Sequence, residues 1–206
     1  MGFFSFVGSI VSSAFNAVKS VIEKVGLGFE TALKVIVAIV VAVGKALGII
    51  PEDEVPEELG DRVIQAEAQG IVPEKFDTYA EYMKKVRELE IDPELSEKST
   101  LEEKRAAFLT VANKGIEEKL DSKIGLPFWG EVAKNESYFT PERVTSILKE
   151  FSSNGMDPAK ITDYFEANLA PDERDKVEEN LVKSEQNIDA DKETDTIYNE
   201  LDSMKR

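Results

Sequence analysis

No charged side chain occurs before Lys19, and the apolar positions in this opening stretch recur at helical spacing. Phe3, Val7, Ile10, Ala14, Val18, Val21 and Val25 form one stripe, with Phe4, Val11, Phe15 and Ile22 beside it. Ser5, Ser9, Ser12, Asn16, Ser20 and Glu23 fall on the opposite side, so the polar face is narrow and mostly uncharged. Gly26-Leu27-Gly28 then interrupts the pattern, as a glycine C-cap and turn would. A second apolar stretch follows, and its densest part, Val35-Ile36-Val37-Ala38-Ile39-Val40-Val41-Ala42-Val43, has no polar face at all. A helix apolar all round must be buried, either in protein or in lipid. The pattern predicts a hydrophobic helical hairpin with Gly26 and Gly28 at its tip. Val and Ile also favour strands, but the glycine-bounded helical period of the first segment argues against a sheet.

Two helices of roughly 20 residues each would reach about 30 Å, near the thickness of a bilayer's hydrocarbon core. Between Ala32 and Ile50 there are eleven Leu, Ile and Val residues, which together favour insertion by roughly 3–7 kcal/mol. Lys34 and Lys45 oppose it, though both lie near the ends and can snorkel. The side chains expected to insert into a membrane or an apolar partner are Phe3, Phe4, Val7, Ile10, Val11 and Phe15 of the first segment. Those of the second are Val35, Ile36, Val37, Ile39, Val40, Val41 and Val43. Ala38 with Ala42, and Gly44 with Gly48, match the small-xxx-small spacing that lets apolar helices approach closely. The competing destination for the same residues is the core of a soluble fold, wrapped by the rest of the chain.

Pro51 and Pro56 bracket an acidic run, and beyond it the pattern is helix after helix with proline and glycine punctuation. Glu57–Gln69 ends at Gly70, and Asp77–Leu89 lies between Pro73 and Pro93. Thr100–Asp121 opens with a capping-box sequence, Thr100 to Glu103. Thr140-Pro141 and Asp157-Pro158 each set a capping side chain before a proline at the first helical position, predicting helices to about Ser152 and Leu169. Pro171 opens another over Asp172–Val182. Ser184–Arg206 reads as a polar tail holding a loose or partner-docked terminal helix. Nothing alternates at period two. The fold class expected is all-α: a hydrophobic hairpin (1–50), a linker (51–56), an acidic multi-helix domain (57–182) and a polar tail (183–206).

Charge sharpens that division. The 206 residues carry 25 Lys+Arg against 41 Asp+Glu, a net −16. Residues 1–50 hold four lysines against Glu23 and Glu30, a net +2, which leaves −18 on the remainder. A positive apolar hairpin suits an anionic membrane surface at about 1 kcal/mol per well-placed lysine. The acidic remainder would be repelled by that surface, suits a basic protein partner, and is a poor match for nucleic acid, which needs clustered Lys and Arg.

The absence of Cys and His removes thiol chemistry, disulfides, the commonest general base and the commonest transition-metal ligand. No GxGxxG, GxxxxGK[ST] or GxSxG motif occurs, and among 41 carboxylates pairs at helical spacing arise by chance. No catalytic, cofactor or metal residue is assigned, and no enzymatic activity is expected. Asp189, Asp191, Glu193, Asp195 and Glu200 resemble the acidic positions of an EF-hand loop, but Thr194 stands where the sharp turn needs Gly. The single Trp, in Leu126-Pro127-Phe128-Trp129-Gly130, reads as a turn residue serving either as an interfacial anchor or as core.

The function these features suggest is a non-enzymatic, membrane-active protein. Its hairpin would insert into a bilayer while the acidic domain keeps it soluble and addressed. The architecture is similar to that of pore-forming bacterial toxins and secreted effectors, which shelter an apolar hairpin until they reach a membrane. That likeness is architectural, since no family motif accompanies it. The basic n-region of a secretory signal is missing ahead of the apolar part, so membrane association or secretion without a cleavable signal is expected, with homo-oligomerisation as one way of covering apolar surface. The alternative is a structural or cargo subunit of a larger assembly, a phage particle or injection apparatus, whose hairpin docks in a protein groove or lumen.

Overall fold

Helix caps and glycine stops place most of the elements. The computed structural model describes residues 4–205 and, within the first helix, the side chains of Ser13 and Phe15–Lys24. The described residues form eleven α-helices and no strand. They are α1 (Phe4–Val25), α2 (Phe29–Ala46), α3 (Pro56–Ala68), α4 (Tyr79–Arg87), α5 (Pro93–Ser96), α6 (Leu101–Leu120), α7 (Leu126–Lys134), α8 (Pro141–Ser153), α9 (Lys160–Phe165), α10 (Pro171–Gln186) and α11 (Thr194–Asp202). Thr100 and Glu103 make the reciprocal capping box that their spacing predicts. Thr78 and Thr140 cap α4 and α8 by accepting from Glu81 N–H and Arg143 N–H. The stops at Gly70 and Gly155 are left-handed residues, and past each the next amide returns to the last turn, Ile71 to Ala66 and Met156 to Phe151.

The helices wrap α2. It packs against α6, α7 and α8, while α1 lies across α6 and α7, α3 covers α6, α10 covers α8, and α11 docks on α10. One continuous cluster of buried apolar side chains runs from Val18 and Ile22 through α2 to Ile197 and Leu201. The first fifty residues and the acidic remainder therefore share a core. The polar tail is partly ordered by the same cluster, because Ile197 and Leu201 are fully buried.

Three features depart from the sequence pattern. The Trp-containing segment is a helix, α7, with Phe128, Trp129 and Val132 buried; its N-cap is Gly125, which offers no side-chain acceptor to mark the start. Helix α9 is shorter than expected at both ends: Asp157 accepts from Ala159 N–H but the helix begins only at Lys160, and Ala167 adopts a left-handed conformation after it. Two helices approach closely at Gly60 of α3, where an added Cβ would collide with the Lys104 carbonyl of α6. Only glycine admits the two backbones at that distance.

Candidate apolar insertion segment

Helix α1 ends at Gly26, which takes φ +74°, and α2 starts from Gly28 in an extended conformation. The chain turns there by 107° between the two helix axes. The pair therefore forms a corner, closed on the inside by an edge-to-face contact of Phe15 with Phe29 at 5.3 Å between ring centroids. A closed antiparallel hairpin would turn by about 180°, and the intervening space is filled here by α6 and α7.

The residues expected to insert divide as follows. Phe3, and the side chains of Phe4, Val7, Ile10 and Val11, lie outside the described residues. Phe15, Val35 and Val41 are half-buried. Ile36, Val37, Ile39, Val40 and Val43 are buried in the shared core with Leu33. Each fully buried side chain of this size is worth about 1.5–3 kcal/mol, so moving these six into water would cost roughly 9–18 kcal/mol. That matches or exceeds the ordinary net stability of a domain, about 5–15 kcal/mol. Helix α2 does not come free into water.

Its outward strip is narrow. Lys34 and Ala38 are exposed and Ala42 and Lys45 half-exposed along one helical line, so two small side chains sit between two lysines, and Lys45 pairs with Glu52. The small residues thus serve two ends. Ala38 and Ala42 face outward, and Ala42 lines a cleft of about 520 Å³ shared with Thr145 and Ser146 of α8. Gly44 is buried against Ile50, and Gly48, at φ +71°, ends the helix with Ile49 N–H returning to Gly44. Neither glycine meets another helix's backbone in the way Gly60 of α3 meets α6.

What encloses α2 is fastened by polar locks. Asp61 of α3 accepts from Ser96, from Lys104 at 2.9 Å and from Gln65 at 3.0 Å, and Gln65 also pairs with both backbone groups of Asp92. Burial alone would push the Asp61 carboxyl up, but these donors and the Lys104 charge hold it below its ordinary value. On the other flank Glu150 of α8 meets Lys183, Asn187 and Asn154. Those partners overcome the opposing effect of burial and lower its pKa as well. Arg143 and Lys192 together hold Glu185 and Glu200 at 2.8–3.3 Å, which ties α11 to α8 and α10. Burial disfavours the Lys192 ammonium, yet its two carboxylate partners raise its pKa.

The EF-hand-like run is engaged by these same contacts. Lys192 lies within it, and Glu200, its twelfth position, receives Lys192 and Arg143. Among the described residues no group of three or more acidic side chains is arranged to hold a metal ion. Trp129 is buried and donates its indole N–H to Asn113 at 2.7 Å. Among the described residues no single helix is long and apolar enough to cross a membrane, while the bent pair Phe15–Lys24 with Phe29–Ala46 meets that test by length and composition. Comparisons with protein-family models, with curated proteins and with solved structures find no match to this chain.

Proposed function

We propose that this is a non-enzymatic membrane-active protein that carries an apolar helix pair inside an acidic helical wrap and transfers it to a bilayer. The observation that carries this reading is the burial of α2, an 18-residue helix, by α6, α7 and α8, two of which are fastened through polar locks to the acidic outer helices α3 and α10. At 1.5 Å per residue α2 spans about 27 Å, close to the hydrocarbon thickness. Water offers nothing to offset the loss of the core, whereas a hydrocarbon phase restores the burial of the same side chains. The +2 segment meets an anionic surface while the −18 remainder stays in water.

The absence of cysteine makes the test clean. Ala42 and Thr145 line one cleft between α2 and α8, and the pair Ala42→Cys with Thr145→Cys would tether them. Dye release from vesicles of phosphatidylcholine with phosphatidylglycerol is measured for the oxidised and the reduced protein. The expected result is release by the reduced form and less than about a tenth of it by the oxidised form. Equal release by the two forms, or intact vesicles with both, contradicts the reading.

A further inference from the structure

A cavity of about 550 Å³ opens between the start of α4 and the middle of α6, away from α2. Phe76, Tyr79 and Tyr82 supply aromatic surface to it. The Phe76 and Tyr82 rings lie 5.7 Å apart at 60°, so they present differently inclined faces. Tyr82 is almost fully buried. Burial, with Glu118 and Glu54 adding to it against Arg87, pushes the Tyr79 phenol well above its ordinary range, and burial does the same for Tyr82. Both stay neutral aromatic walls.

The rim has the opposite character. Glu74 and Asp77 are exposed at the mouth, Glu117 and Glu118 border it from α6, and Lys114 is the one cationic side chain lining it. The walls are set by hydrogen bonds rather than left mobile. Glu118 accepts from Tyr79 N–H at 3.1 and 3.3 Å, and Glu117 accepts from Ile124 N–H at 3.0 Å. An aromatic box attracts cations through the ring quadrupole, and carboxylates at its mouth add charge selection. A compact hydrated metal ion would gain little from aromatic walls, whereas a planar, weakly hydrated guanidinium stacks on an accessible ring face.

We infer that this cavity is a docking site for an arginine side chain presented by a basic protein partner. The partly exposed Phe76 and Tyr79 rings receive the guanidinium plane, the buried Tyr82 ring backs Phe76, and Glu74 with Asp77 selects for its charge. The −18 borne by the chain beyond residue 50 steers such a partner toward the acidic helices. The site stands apart from the membrane reading, and either can fail without the other.

The test is an amide NMR titration of the full chain with N-acetyl-arginine amide, which has the blocked ends of a residue within a polypeptide. Millimolar ligand is expected to shift resonances of 73–82 and 110–118 selectively, with the citrulline analogue, isosteric but neutral, binding about tenfold more weakly. The variant Glu74→Gln with Asp77→Asn should weaken the blocked arginine several-fold, and the distant pair Asp172→Asn with Glu179→Gln should not. Shifts scattered over the surface, equal binding of citrulline, or equal loss in the two variants overturns the inference.

Discussion

Two regions of this molecule are held by different forces. Around α2 the contacts are apolar and continuous, with Leu33, Val40 and Val43 removed from solvent altogether. Around α11 they are sparse, two buried side chains together with the ion pairs of Arg143 and Lys192. Apolar burial is indifferent to pH and only weakly dependent on salt, whereas exposed and half-buried ion pairs respond to both. Acid should therefore loosen the wrap before it touches the affinity of α2 for an apolar phase. That ordering is what a protein needs if it is to surrender an apolar helix to lipid without exposing it to water.

The sharpest way to break the comparison is to put a charge where α2 has none. Val40→Asp buries an unpaired carboxylate, and the expected outcome is loss of cooperative folding, seen as a vanished urea transition by circular dichroism. Ile36→Ala in the same helix should lower the unfolding free energy by about 2–5 kcal/mol through lost burial and a cavity.

Next in size is the lock between α3 and α6. Asp61→Ala leaves Lys104 partly buried without its partner and should cost about 3 kcal/mol in urea unfolding, much of it recovered by adding Lys104→Met. The pH dependence follows from the same groups. Asp61 and Glu150 are lowered from 3.8 and 4.5, so their contribution is complete above those ordinary values and is lost as pH falls through the depressed folded ones. Lys192 is raised from 10.5, so its contribution is complete below that value and is lost as pH rises through the higher one. Urea midpoints should fall below about pH 4, and Asp61→Asn with Glu150→Gln should flatten that limb.

The smallest effects belong to single caps. Thr100→Ala removes the capping box of α6 and should cost about 1 kcal/mol, read from thermal melts. A larger loss would mean that α6 contributes more of its enclosure of α2 through that first turn than its packing suggests.

Local chemistry was legible in the sequence wherever a side chain or a glycine marks its own position. Thr100 with Glu103, Thr140 before Pro141, and Gly70 and Gly155 set helix ends without reference to the rest of the fold. Helix α7 was marked only by Pro127 in its first turn, which reads equally as a turn residue, since Gly125 caps it without a side chain and Leu126, Phe128 and Trp129 crowd that turn. The close approach at Gly60 was illegible for a different reason: its partner, the Lys104 carbonyl, is brought there only by tertiary packing. The destination of α2 was undetermined in principle, since a run apolar on every side satisfies protein and lipid equally. The aromatic cavity at Phe76, Tyr79 and Tyr82 was not legible, because Phe76 lies extended ahead of α4 and the acidic wall comes from α6, some forty residues away.

The central claim is that α2 exchanges one apolar enclosure for another while its acidic wrap opens. Hydrogen exchange of the full chain, with and without phosphatidylglycerol-containing vesicles, follows both parts in one experiment. The account predicts that amides of 29–46 stay protected in both conditions, while those of α3, α6 and α8 become faster-exchanging once vesicles are present. Unchanged protection of the wrap in the presence of vesicles, or rapid exchange of 29–46 in their absence, would contradict it.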